Sequence, residues 1–223
     1  MRFAISLLVA LTAVTLVACG GGGDETAAPI PLAQRFLAIE DAPGTKPDPL
    51  EKRQTTADFD EFIATLSDLA VDPDREEMST VFRDAGFKRA GVDARFFGET
   101  HTRTGRHVFS SFIELESEDG ATSALDWLET DSRKPCPMSC AVQVSNFDVD
   151  DIDDARGVHR IQTADEIEQV GSAADLVPFD SYWVGFTEGS FVYTVDLHGA
   201  PGSVSEEQAQ DIASAYHDRL TGN

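Results

Sequence analysis

Apolar residues recur at intervals of three and four from Ala57 onward, with Phe59, Phe62, Ile63, Leu66, Leu69 and Ala70 falling along one side of a helix. Thr55 and Thr56 precede this stretch and are its candidate N-caps. A second helix is predicted after Asp72. Pro73 suits its first turn, Glu76 and Glu77 its positive end, Met78, Val81, Phe82 and Ala85 face inward, and Gly86 stops it. The period then shortens to two. Val92 to Gly98 and His107 to Glu116 alternate, and the polar Thr102-Arg103-Thr104-Gly105 between them predicts a hairpin. The second of these strands has apolar residues on both sides at its start, which places it inside a sheet rather than at an edge.

Asp119-Gly120 leads into a further helix with Ala121, Ala124, Leu125 and Leu128 on one side. Two strands are expected at Ala141 to Phe147 and Val158 to Thr163, separated by an acidic loop. Ser181 to Thr187 and Phe191 to Leu197 form a second hairpin about Glu188-Gly189-Ser190. Ser205-Glu206-Glu207-Gln208 is a capping box opening the last helix, whose inward stripe is Ala209, Ile212, Ala213, Tyr216 and Leu220. The pattern predicts an α+β domain: an antiparallel-rich sheet of about six strands with helices packed on it, arranged as two similar hairpin-helix halves.

Ahead of this domain the chain has a different character. Met1 and Arg2 are followed by an apolar run, Phe3 to Leu16, broken only by Ser6, Thr12 and Thr15. That is the h-region of a signal peptide, and it is shorter than the roughly 20 apolar residues a membrane span requires. Leu16-Val17-Ala18-Cys19 resembles the lipobox of bacterial lipoproteins, in which a diacylglycerol is attached to the cysteine and the chain is cleaved on its N-terminal side. The resemblance implies a signal peptide over 1–18, lipidation at Cys19, and attachment to the cell membrane or outer membrane with the domain facing the periplasm or exterior. Residues 19–31, rich in glycine, cannot pack a core and are expected to act as a tether; residues 32–223 form one acidic domain.

Charge narrows the partners. The 223 residues carry 17 Lys+Arg against 40 Asp+Glu, a net charge of −23, so nucleic acid is not an expected partner and an anionic bilayer would attract the domain little. With 14 phenylalanines the chain can bury a core unaided, and no cofactor is expected.

If Cys19 is lipidated, two cysteines remain. Cys136 and Cys140 are expected to form a disulfide in an oxidising compartment. The alternative is a copper carrier, since two thiolates flanking Met138 are soft ligands. In its layout and this disulfide, the domain is loosely similar to extracellular sensor-like lipoprotein domains of high-GC bacteria. That resemblance implies no particular activity.

Asp148, Asp150, Asp151, Asp153 and Asp154 crowd one loop, yet Ile152 and Asp153 break the EF-hand spacing, so turn formation and solvated charge are the expected roles. His101 and His107 flank the polar turn with Arg103 and Arg106, where a solvated hairpin tip is expected ahead of an anion site. No Gly-x-Ser-x-Gly elbow, His-Glu-x-x-His helix or phosphate-binding Gly-Lys-Ser/Thr loop occurs. The expected function is therefore a non-catalytic envelope module that binds a small molecule or a protein, with an envelope hydrolase as the rival. Its ligand site is expected where the last helix begins, beside an aromatic strand pair: Trp183, Tyr193, His198, Ser203 and Ser205.

Overall fold

A computed structural model describes residues 30–49, 53–69, 75–102, 105–134, 142–162 and 178–222. The strands are β1 (Thr45–Pro47), β2 (Gln54–Thr56), β3 (Arg89–Phe97), β4 (His107–Glu114), β5 (Gln143–Phe147), β6 (Arg156–Gln162), β7 (Phe179–Glu188) and β8 (Phe191–Gly199). The helices are α1 (Phe59–Leu69), α2 (Arg75–Asp84), α3 (Glu118–Ser132) and α4 (Glu206–Thr221). One open antiparallel sheet runs in the order β1-β3-β4-β8-β7-β6-β5, and β2 pairs with the same edge of β3 as β1. The expected α+β architecture is present. Its sheet has eight strands, because the three-residue β1 and β2 are too short to alternate visibly.

Local chemistry explains the helix ends. Asp58, rather than Thr55 or Thr56, caps α1: its Oδ1 accepts from the Glu61 N–H at 3.0 Å, while Thr56 Oγ1 accepts from the Asp58 N–H. Ser117 caps α3 at Gly120 N, two residues before the predicted start. Gly120 is required there because a Cβ would sit 2.6 Å from the Ala85 carbonyl oxygen at the end of α2. Ser205 caps α4 through Gln208 N, and Gly222, with φ of 78°, ends it.

Alternation along the strands divides the core between the two faces of the sheet. On the front face Val108, Phe112, Val184, Phe186, Tyr193, Val195 and Leu197 pack against the inward stripe of α4 and against a strap, residues 30–48, that contributes Phe36, Leu37 and Ala42. On the back face Ala90, Ile113, Val158, Trp183 and Val192 pack against α1, α2 and α3. Both hairpin-following helices, α3 and α4, therefore exist but cover opposite faces.

The strap is held by ionic and hydrogen bonds reaching across the whole chain. Arg219 on α4 donates to both Asp41 carboxylate oxygens (2.8–3.0 Å) and to the carbonyls of Gln34 and Phe36. Arg35 donates to the Tyr193 hydroxyl and lies over the Phe191 ring, and the Tyr216 hydroxyl donates to the Arg35 carbonyl. Arg53 adds a fork to Asp93 (3.0 and 3.2 Å) and a bond to the Leu37 carbonyl. Among the described residues, no helix is long and apolar enough to cross a membrane.

Candidate functional site

The back face turns polar at one end. Register aligns Phe96, His107, His198, Ser181 and Arg160 as one cross-sheet row on strands β3, β4, β8, β7 and β6. Because side chains alternate, these residues share the face that carries Ile113 and Trp183 further along the strands. Asp196 lies one step below, opposite Trp183.

Three of these side chains lock together. Arg160 Nη2 donates to Asp196 Oδ2 at 2.7 Å and to Ser181 Oγ at 2.9 Å, and the fully buried Ser181 hydroxyl donates to Asp196 Oδ1 at 2.7 Å. Below them Ser111 Oγ and Thr194 Oγ1 share a bond at 2.7 Å. Two donors at the β6 end are left over: Arg160 Nε and the buried Gln162 Nε2 have no hydrogen-bond partner. Burial pushes the His198 imidazole below its ordinary range, with the Asp196 charge opposing that shift; the ring stacks on Phe179.

The corner of the row on β4 is a second cluster. His107 is 5% exposed, so it belongs to the body of the domain and not to a solvated hairpin tip. The loop after β3 brings His101 onto it, while Arg103 and Thr104 of the turn lie outside the described residues. The two imidazoles meet edge to face with centroids 5.1 Å apart, and His101 also abuts Phe96. Asp48, buried just after β1, points its Oδ2 at His101 Nε2 (3.0 Å) and at His107 Nδ1 (3.4 Å). Among the described residues this is the one group of three or more His, Cys, Asp and Glu side chains whose ligand atoms all lie within 4.8 Å of one another. Sequence reasoning missed Asp48, which is separated from both histidines by the length of β2, α1, α2 and β3.

The predicted ligand site does not assemble as one pocket. Trp183 and Tyr193 sit on adjacent strands but on opposite faces, 7% and 0% exposed, Trp183 in the back core and Tyr193 in the front core. The physical reason is register: Trp183 pairs with Asp196 and Tyr193 with Phe186, so alternation sends the two rings to opposite sides. Ser205 is occupied as the α4 cap, and Ser203 lies in the turn beside Gly199. Of the five residues, only His198 belongs to the polar row. Nearby on the front face, Asp180 takes His159 Nε2 at 2.7 Å and the Gly202 N–H at 3.2 Å, and His159 stacks on Tyr182 at 4.2 Å.

In the acidic loop, Asp151 and Asp154 adopt left-handed φ values of 63° and 58°, and Ile152 is buried in the front core. These are turn-forming roles. Cys19, Cys136, Met138 and Cys140 lie outside the described residues.

The fold and its side chains define an α+β domain with helices on both faces of an open antiparallel sheet and a polar row at one end. No family model matches the sequence, and no curated protein matches it. Among solved structures, the extracellular domain of PknH from Mycobacterium tuberculosis is 12% identical, with 87% of this chain and 93% of that one covered, at a TM-score of 0.49.

Proposed function

We propose that this chain is a non-catalytic, lipid-anchored envelope module that binds a ligand bearing acceptor oxygens at the β6 end of the polar row. The observation that carries the reading is the pair of unpartnered donors, Arg160 Nε and Gln162 Nε2. A buried N–H without an acceptor costs about 1–3 kcal/mol, so native proteins rarely retain one without a use. A carboxylate, phosphate or sugar hydroxyl would supply the acceptor that these donors lack. Hydrolysis is the weaker reading, because the Ser181 hydroxyl is bound to Asp196 and Arg160 instead of to an imidazole that would activate it.

The test separates an orphan donor from a working one. Replacing Gln162 with Met removes a donor that has no acceptor in the free domain, so it should abolish ligand binding without a matching loss in the free domain. In thermal-shift screening against sugar acids, phosphosugars and amino acids, a compound at a hundred times its dissociation constant should add about 2.7 kcal/mol to the parent domain. The same compound should shift the Q162M domain much less. Equal shifts in both would refute the assignment.

The anchor rests on Leu16-Val17-Ala18-Cys19. Intact mass of the membrane-extracted protein should show a chain starting at Cys19 and carrying diacylglycerol. A start elsewhere or an unmodified Cys19 refutes it. The same measurement before and after reduction reads the proposed Cys136–Cys140 disulfide, which should accept an alkylating agent only after reduction.

A further inference from the structure

We infer that Asp48, His101 and His107 form a binding site for a divalent first-row transition ion of the zinc class. The inference goes beyond the binding of an oxygen-rich ligand at the β6 end and does not depend on it.

The tautomer of His107 carries the argument. Its Nε2 lies 2.9 Å from the Thr102 carbonyl oxygen, which can only accept, so Nε2 holds a proton. In the neutral ring Nδ1 is then a bare lone pair. That atom is buried, has no hydrogen-bond partner, and faces the Asp48 carboxylate oxygen at 3.4 Å. Two acceptors facing one another in a buried corner require a cation between them. His101 Nε2, 3.0 Å from the same oxygen, supplies a third donor atom aimed at that point.

Geometry and chemistry select the ion. For metal–ligand bonds of about 2.0–2.1 Å, ligand atoms around a tetrahedral centre stand roughly 3.3–3.5 Å apart. The two measured edges, 3.0 and 3.4 Å, are close to that spacing, and the remaining edge is no longer than 4.8 Å. Two imidazole nitrogens and one carboxylate suit zinc and its neighbours, whereas calcium takes six to eight oxygens. The Nε2–H bond to a backbone carbonyl is the outer-shell contact that orients metal-ligating histidines. A net charge of −23 raises the local concentration of any cation.

The alternative is a proton in place of the metal, with His107 as an imidazolium paired to Asp48. Zinc titration calorimetry on the mature full chain in detergent separates the two. Cysteine thiols are blocked to silence Cys136 and Cys140, and millimolar calcium is present to occupy surface carboxylates. The parent chain should take up one zinc per molecule, and His101→Ala should weaken that uptake at least tenfold. His101 is partly exposed in a loop, and melting in the absence of metal checks that H101A keeps the fold. His159→Ala, outside the cluster, should bind as the parent does. Zinc uptake by H101A equal to that of the parent, or no stoichiometric uptake by either, overturns the inference in favour of the imidazolium pair.

Discussion

Replacing Arg219 with alanine is expected to cost the domain about 3–5 kcal/mol, the range found when one partner of a buried ion pair is removed. The Asp41 side chain is only 3% exposed and receives three of the guanidinium's bonds. Without Arg219 that carboxylate keeps the Ala38 N–H at 2.7 Å, which is not enough to hold a buried charge. The carbonyls of Gln34 and Phe36 lose their donor at the same time. By contrast, Lys46–Glu99, with side chains 46% and 94% exposed, should contribute little, because water screens it. Urea denaturation is the measurement: the R219A midpoint should fall with the slope unchanged. Arg219→Lys should recover only part of the loss, because an ammonium cannot fork across Asp41 and also reach two carbonyls. A loss under about 1 kcal/mol would show that the strap contributes little to the fold.

The same bonds show why so much of the strap was hidden in the sequence. Leu32 to Glu40 has no period because, beyond the single 3-10 turn Leu32–Gln34, it is neither helix nor strand; its contacts reach separate partners on α4, β4 and β8. Arg35 meets Tyr216, 181 residues away, and nothing local in either segment announces the contact. The elements that were legible are those whose own period or cap specifies them. The β3–β4 and β7–β8 hairpins alternate over eight or more residues, and α4 carries its cap, its stripe and its stop in consecutive sequence.

The ligand site failed on a finer point. With Glu188 paired to Phe191 about a two-residue turn, residues on one face of the β7–β8 hairpin have numbers of opposite parity. Trp183 and Tyr193 are both odd, so their separation onto opposite faces follows once the turn is taken as Gly189-Ser190 rather than Glu188-Gly189-Ser190. That information was in the sequence. The Asp48–His101–His107 cluster was not, because it depends on β1 pairing with β3 and on a loop folding back over the sheet. Two histidines six residues apart on a hairpin were its only local sign.

Alkaline pH is expected to unfold the domain through its front core. Burial pushes the Tyr193 hydroxyl up to about 12, against the lowering pull of Arg35, and burial raises Tyr216 well above the ordinary phenol range. In the unfolded chain both titrate near pH 10. A group whose folded pKa lies above its unfolded value stabilises fully below the unfolded pKa, and that stability is lost as pH climbs through the folded one. The window therefore opens near pH 10. By pH 12 the two-unit gap at Tyr193 removes up to about 3 kcal/mol, and Tyr216 adds to the loss in the same direction. Melting temperatures between pH 9 and 12, read alongside tyrosinate absorbance, should show one early non-cooperative titration from the more exposed Tyr182, followed by a cooperative rise as Tyr193 and Tyr216 ionise on unfolding. Tyr193→Phe should flatten the stability loss above pH 10 while lowering the neutral-pH melting temperature, since Arg35 loses its hydroxyl partner. If all three tyrosines ionised near pH 10 with no change in melting temperature, the two hydroxyls would have to be reachable by solvent in the folded domain, and the strap would not be sealing the front core.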